Sequence, residues 1–313
     1  MQLKEAISSV LATTKQETDT YDPWSWVEAS VWTKPMLRAL ENGVKGGKWF
    51  SLMDKVYALA TLQAAWQQVR KNKGSHGVDG LSIERFAMKQ EQYLLELQQA
   101  LIEGSYQPLP VKRVIIPKAG GGERPLGIPA VKDRIVQTAL KMVIEPIFEN
   151  EFVNHSYGFR PLRGCKLALR AVDGCLKVGQ TWVVDADMKS YFDTIPHALL
   201  MVEVEKFISD GKVLKLIQTY LEQDILDGMN RWTPLAGTPQ GAVITPLTQR
   251  ITFIDLSRIV LDRRFRRLRI ATCWRSLSWY RMFNSNQIFS HNYLLYQQSH
   301  NSLALTNIEG IGI

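Results

Sequence analysis

Apolar residues that recur every three or four positions predict helices along much of the chain. The pattern is clearest at residues 52–71 and 131–145, where the apolar side chains fall on one face. Gly104 is expected to stop a helix at 93–104, and Pro146 to end or kink the helix before it. Further helices are predicted at residues 35–42, 166–177, 196–208, 212–223 and from 244 onward.

Alternating apolar and polar residues predict strands in three other places. Residues 111–116 and 124–128 flank a triple-glycine turn, which predicts a hairpin with cations at its tip. A shorter hairpin is predicted at residues 224–234, turning at Asp227 and Gly228. The third strand is the apolar run that ends in Asp187.

In this third strand Trp182 and Val184 share one face, and Asp185 and Asp187 share the other. Burial of the apolar face would hold Asp187 at a fixed exit point, as a metal ligand requires. The alternative is that these residues and Asp193 are ordinary acids of a strand end and a helix cap. The strand by itself leaves both interpretations open.

Composition indicates a folded protein with a polyanionic partner. The 313 residues are 45% hydrophobic, enough for a sizeable core, and the formal charge of +8 with a pI near 9.3 favours phosphate-bearing ligands. No apolar run is long enough to cross a bilayer, and acids interrupt the first residues, so a cytoplasmic location is expected. Three cysteines without a CxxC pair and five histidines without HExxH suggest neither a disulfide framework nor a zinc site.

Two glycine-containing loops carry candidate binding chemistry. Lys118 and Arg124 bracket the triple glycine, where backbone N–H groups and cations could hold a phosphate, or could simply form a solvated surface turn. In the GTPQG loop, Gln240 could bring its amide next to a ligand.

A third loop, SYGFRPLRGC, mixes aromatic rings with arginines. Tyr157, Phe159, Arg160 and Arg163 could stack on bases and hold a sugar-phosphate backbone. They could equally form a buried aromatic turn with an arginine cap.

Five segments together resemble the reverse transcriptases encoded by group II introns and their retron-type relatives. The resemblance covers roughly residues 48–262, in the family's order and approximate spacing. The segments are KGSHGVDG, VIIPKAGGGERPLGIPAVKDRIVQTAL, SYGFRP, VVDADMKSYFDTI and GTPQGAVITPL.

This resemblance implies an α+β right-hand polymerase fold of reverse-transcriptase type, in which fingers close on a palm sheet. It implies four regions: an N-terminal extension (1–45) that is loosely packed, fingers-like helices and hairpin (46–180), a partial palm (181–262), and a divergent, poorly ordered tail (263–313). The implied partners are an RNA template or intron RNA, a DNA primer and dNTP.

The resemblance also implies roles for individual residues. Asp187 is expected to be the catalytic aspartate that binds Mg²⁺, with help from the Met188 carbonyl. Phe192 would lie beneath the deoxyribose. The other implied nucleotide-binding residues are Lys118, Arg124, Arg160 and Gln240.

The chain departs from the family after the GTPQG helix. No Tyr-x-Asp-Asp sequence follows, and the acids after Asp255 are Asp262 and Glu309. The tail lacks a clear period, so no element is predicted there, and the palm strand is expected to have an exposed edge. The expectation is a truncated, catalytically impaired reverse transcriptase, with a non-catalytic RNA-binding module as the alternative, completed in one scenario by a separately encoded C-terminal remainder.

Overall fold

A computed structural model describes residues 22–44, 46–117, 123–179, 182–187, 191–238, 241–252, 254, 269–273, 278–283 and 302–307. Of residues 182–187, 191, 192 and those after 254, it describes the backbone alone. The helices are α1 (Lys34–Asn42), α2 (Met53–Val56), α3 (Leu59–Asn72), α4 (Ile83–Met88), α5 (Gln90–Glu103), α6 (Val131–Glu149), α7 (Cys165–Lys177), α8 (Tyr191–Thr194), α9 (His197–Glu205), α10 (Gly211–Leu221) and α11 (Thr245–Thr252).

The core of the described residues is built around α6. This helix of 19 residues buries apolar side chains on most of its circumference and packs against α2, α3, α5 and α11. The helix predicted at residues 93–104 from apolar spacing is confirmed as one of its partners. In α5, for example, Leu94, Leu97 and Leu101 are buried, and Gly104 ends the helix in the left-handed conformation with φ +72°.

The sequence predicted that Pro146 would end or kink this helix. Pro146 does not end α6, because the helix continues to Glu149. A proline has no N–H to donate to the carbonyl four residues earlier, here that of Met142. The indole N–H of Trp32 donates to that carbonyl at 3.1 Å instead. Trp32, Val31 and Leu40 are buried, so this part of residues 1–45 belongs to the core and the expectation of loose packing is wrong for it.

The single helix predicted at residues 52–71 is two helices, α2 and α3. Asp210 explains where α2 begins, because its Oδ2 accepts hydrogen bonds from the N–H groups of Leu52 (2.7 Å) and Met53 (2.9 Å). Its Oδ1 accepts from Lys212 and Val213 at the start of α10. One carboxylate therefore satisfies the exposed donors of two helix N-termini, a role with no local sequence signal for α2.

Two four-stranded sheets are formed. The first has the order β2 (Glu123–Ile128), β1 (Val111–Pro117), β4 (Ile225–Asp227) and β5 (Asn230–Trp232). Both predicted hairpins are confirmed, since β1 pairs antiparallel with β2 and β4 with β5. β4 runs parallel to β1, so the hairpin assigned to the palm region shares a sheet with the fingers hairpin.

The second sheet contains the predicted strand β3 (Trp182–Asp187) in the order β6 (Arg269–Cys273), β7 (Ser278–Phe283), β3 and β8 (Ser302–Asn307). β7 and β8 pair antiparallel with β3 on its two sides. Two expectations are therefore wrong: the tail does contribute strands, and neither edge of β3 lacks a neighbouring strand. Among the described helices, none is both long and apolar enough to cross a membrane.

Candidate functional site

Strand β3 ends at Asp187, and Phe192 follows in the short helix α8. The backbone thus agrees with a strand that delivers an acidic residue at its end. The side chains of Asp187 and Phe192, and all of Met188, lie outside the described residues. Their metal-binding and sugar-contacting roles remain predictions.

The segment after α8 is bonded directly to the start of the GTPQG loop. The N–H of Gly237 donates to the Ile195 carbonyl at 2.8 Å, and Nε2 of His197 donates to the Gly237 carbonyl at 2.8 Å. Pro196 and Ala236 form an antiparallel bridge between these bonds. Two motifs that are about 40 residues apart in sequence are therefore held side by side.

The far end of the same loop packs against strand β2. Gly241 has φ +109°, and a Cβ atom added there would lie 2.5 Å from the Gly127 carbonyl oxygen and 2.8 Å from Leu126 Cδ1. A side chain at this position would push the loop away from the hairpin, and its backbone conformation also favours glycine. Gln240 itself lies outside the described residues, between two described positions, Thr238 and Gly241.

Arg113 of β1 lies against the β4–β5 hairpin of the same sheet. Its guanidinium lies 3.3 Å from Asp227 Oδ2 and 5.6 Å from the centre of the Trp232 ring. Partial desolvation raises the pKa of Asp193, just after Phe192, and the nearby charge of Arg113 opposes that shift. The sequence showed Arg113 only as one cation in a basic stretch; its contacts with Asp227 and Trp232 come from the tertiary structure.

Arg124 is exposed on β2, paired with Ile116 near the hairpin connection. Lys118 and the triple glycine lie outside the described residues. The contacts of Gly237 and Gly241 link the three segments on which the predicted nucleotide-binding residues lie: the hairpin, the GTPQG loop and the end of the palm motif.

The KGSHGVDG segment is docked on the N-terminal end of α6. Gly77 lies so close that an added Cβ would be 2.6 Å from the Ala130 Cα. Arg134 of α6 donates to the carbonyl oxygens of Ser75 at 2.5 Å and Lys73 at 3.4 Å. This motif is therefore part of the fingers scaffold that carries the hairpin.

Within the SYGFRPLRGC loop the structure favours, for Arg160, the role of a buried cap over a nucleic-acid contact, whereas Phe159 of the same loop is 48% exposed. The Arg160 side chain is 3% exposed, and its guanidinium donates to Glu149 Oε1 at 2.8 Å and to the carbonyl oxygens of Val153 (2.6 Å) and Ser156 (3.0 Å). A guanidinium committed to these acceptors has no free donor edge for a template or nucleotide. Arg160 is therefore not carried into the proposed binding site.

The Arg160 pair belongs to a larger buried network. Arg250 of α11 bonds Glu145 at 2.7 Å and lies 3.5 Å from Glu149, the partner of Arg160. Both guanidinium groups lie over the Phe152 ring, at 5.5 Å and 4.8 Å from its centre. The network fixes α11, which is the helix that follows the GTPQG loop, against the C-terminal end of α6.

The resemblance to group II intron reverse transcriptases implies a divalent metal ion, which needs several oxygen ligands close together. Among the described side chains, no three His, Cys, Asp or Glu residues lie together as a metal site. A two-ion site needs several anionic oxygens, and beyond Asp187 the sequence lacks the Tyr-x-Asp-Asp carboxylates. The known donors of this chain therefore do not fit a complete two-ion site.

Helical fingers with a β-hairpin, joined through a glycine-rich loop to a strand that ends in aspartate, are the arrangement of the right-hand polymerase fold. The family comparison agrees with this class. The chain belongs to the reverse transcriptase (RNA-dependent DNA polymerase) family, whose model matches residues 116–276.

Several curated proteins are similar to this chain in sequence. The chain is 41% identical over 199 residues to protein YkfC of Escherichia coli, covering 61% of this chain and 52% of that protein. It is 34% identical to the group II intron-encoded protein LtrA of Lactococcus lactis, covering 63% of this chain and 33% of that protein. A putative COX1/OXI3 intron 1 protein of Saccharomyces cerevisiae is 32% identical over 62% of this chain and 23% of its own length.

The chain thus spans between about a quarter and about half of the length of these relatives. Among solved structures, a partial Cas6-RT-Cas1--Cas2 complex matches with a TM-score of 0.46 and 18% identity, over 76% of this chain and 39% of that one. The family assignment rests on the sequence matches.

Proposed function

We propose that this chain uses its fingers and the first part of its palm to hold an RNA template, a DNA primer and an incoming dNTP. The observation that carries the proposal is the set of contacts through Gly237 and Gly241, which join the GTPQG loop to the palm motif on one side and to the hairpin on the other. Three segments that bear nucleotide-binding residues in the family are thus linked through this loop.

Within this proposal each residue has a distinct chemical task. Lys118 and Arg124 hold the triphosphate, because the first supplies a point charge and the second a forked pair of donors. Phe192 lies under the sugar, where a 2′-hydroxyl would collide with its ring. Gln240 contacts the nucleotide with its amide, and Asp187 ligates Mg²⁺ with its carboxylate.

Polymerisation by this chain alone is proposed to be weak. When bound, the metal ions would supply activation of the primer 3′-hydroxyl and stabilisation of the leaving pyrophosphate. Asp187 contributes one carboxylate to that task. The missing oxygens would come from a separately encoded polypeptide that carries the Tyr-x-Asp-Asp sequence.

Primer extension tests this proposal. The assay contains poly(rA)/oligo(dT), dTTP and Mg²⁺, with the chain alone or with a polypeptide carrying the Tyr-x-Asp-Asp segment of a relative. We expect little incorporation by the chain alone, more with the added polypeptide, and none in either case with Asp187→Ala. Strong incorporation by Asp187→Ala would refute the catalytic assignment.

The nucleotide site is tested with Arg124→Met, and Arg231→Met serves as the matched control. Both arginines are exposed. Arg231 lies on β5 and pairs with Asp224, away from the connection between β1 and β2. Removal of one charge-assisted contact should raise the KM for dTTP by about tenfold or more in Arg124→Met. An equal change in the two variants would show that general charge, and not this site, is responsible.

The second candidate is an RNA-binding module without polymerisation. The charge of +8 is the observation that favours it. Filter binding to an intron RNA across a salt titration should give an affinity that falls steeply with salt, because phosphate contacts release counterions. An RNA affinity that does not change with salt concentration would count against both candidate functions.

A further inference from the structure

Gln137 is a fully buried polar residue in the middle of α6. Its carboxamide oxygen accepts a hydrogen bond from the backbone N–H of Val243 at 2.9 Å, across 106 residues of sequence. Val243 lies just after the GTPQG loop, between Gly241 and helix α11. The bond therefore ties that loop to the helix that supports the fingers hairpin.

The other end of the Gln137 carboxamide is unsatisfied. Its Nε2 has no hydrogen-bond partner, and neither does the hydroxyl of Thr238. Both side chains line the same small cavity behind the loop, together with Tyr220, Ala242 and Thr245. Burial of a carboxamide with half of its bonds unmade costs stability, and an apolar side chain of the same size would avoid that cost. The benefit of glutamine at this position must therefore lie in what it holds.

The loop has anchors on both sides of Gln240. Gly237 is bonded to Ile195 and His197 on the palm side, and Val243 is bonded to Gln137 on the fingers side. Without the Gln137 bond, the described polar anchors within the loop would all lie on the palm side. A shift of the loop would then be opposed by the packing of Gly241 against β2 and, from beyond the loop, by α11, which the Arg250 ion pairs hold against α6. A shift of the loop would move Gly241 relative to Gly127 and Leu126 of β2.

We infer that Gln137 is a positioning residue that fixes the GTPQG loop against the fingers, and so sets where Gln240 meets the incoming nucleotide. It acts on the nucleotide through the Val243 backbone and does not contact it. The part of this inference that concerns the nucleotide rests on the proposed function; the anchoring of the loop does not.

Three variants test the inference by hydrogen exchange followed by mass spectrometry. Gln137→Met keeps the length of the side chain and removes the acceptor. Gln137→Glu keeps an acceptor oxygen, because burial favours its neutral acid form. Gln223→Met is the matched control, since Gln223 is also a buried glutamine and donates to the Leu109 carbonyl far from the loop.

The peptide that contains Val243 should exchange about fivefold faster in Gln137→Met than in the wild-type chain. In Gln137→Glu the exchange should return towards the wild-type rate, and in Gln223→Met it should not change. Equal exchange in the wild-type chain and Gln137→Met would overturn the inference, whether or not the chain polymerises. Faster exchange throughout both methionine variants would also overturn it, because that result reports general loosening.

The nucleotide part is read from primer extension under the conditions given above, with the Tyr-x-Asp-Asp polypeptide added. Gln137→Met should raise the KM for dTTP about tenfold with a smaller change in kcat, and Gln137→Glu should restore much of the loss. An unchanged KM together with faster exchange would overturn the nucleotide part. Absence of incorporation by the wild-type chain would be a failure of the proposed function, and the exchange result would still decide the anchoring of the loop.

Discussion

Replacement of Arg160 by methionine tests whether the SYGFRPLRGC loop is structural. The change removes a guanidinium that is bonded to Glu149 and to the carbonyl oxygens of Val153 and Ser156. It also releases a turn in which Phe159 and Leu162 both have φ near +55°, a conformation that disfavours residues with a side chain. We expect a large loss of stability and no specific effect on nucleic-acid binding.

The magnitude follows from the buried contacts. Removal of one partner of a buried ion pair costs about 3–5 kcal/mol, because the other charge is left without compensation. Glu149 still has the Arg250 guanidinium at 3.5 Å, so the cost of losing its Arg160 partner should lie near the lower end of that range. The two carbonyl oxygens add about 1 kcal/mol. A loss of about 4 kcal/mol should lower the Tm by roughly 6 °C in a chain of 313 residues.

Thermal and urea denaturation of Arg160→Met, with Arg124→Met as the control, measure this effect. Arg124 is exposed, so its variant should stay within about 0.5 kcal/mol of the wild-type chain. Filter binding to RNA at a temperature where both variants are folded completes the comparison. An unchanged Tm for Arg160→Met combined with weaker RNA binding would refute the structural interpretation and restore Arg160 to the binding site.

Three further predictions follow from buried polar groups. Trp32→Phe should destabilise the chain by about 1–3 kcal/mol in urea denaturation, because the Met142 carbonyl loses its donor. In a Pro146→Ala background the loss should be much smaller, because residue 146 regains an N–H that can donate to the same carbonyl. Burial raises the pKa of Asp133 to about 7 from 3.8, so its contribution to stability is full below about pH 4 and is lost as pH rises to about 7. Asp133→Asn should therefore flatten the decline in unfolding free energy between pH 5 and 7. The flattening should be at most about 1.4 kcal/mol per pH unit. Thr238→Val should leave the Tm unchanged or raise it slightly, since the hydroxyl has no partner to lose, and a clear drop in Tm would show that it does bond in solution.

The helices and hairpins were predictable because each is encoded locally. Apolar spacing found α5 and the first part of α6, and the Asp227–Gly228 turn found the β4–β5 hairpin. The errors share one cause, which is that the deciding partner lies far away in sequence. Asp210 sets the start of α2 from 158 residues away, and Trp32 allows α6 to pass Pro146 from 110 residues before Met142.

The candidate site shows the same division. Motif order in the sequence identified the family, and alternation placed Asp187 at the end of a strand. It could not tell an arginine that binds a phosphate from one that caps a turn, because Arg124 and Arg160 differ in burial and not in local pattern. It also gave no sign of Gln137, which reads as one polar residue on an otherwise apolar helix.

The sequence by itself determined the elements and the family of this protein, because amphipathic period, turn residues and ordered motifs are properties of neighbouring positions. Only the tertiary structure decided which cations are free, which carboxylate caps two helices, and how the GTPQG loop is fixed between palm and fingers. Those outcomes depend on burial and on hydrogen bonds between distant residues, since a polar group withdrawn from water must find its partner wherever the fold brings one close.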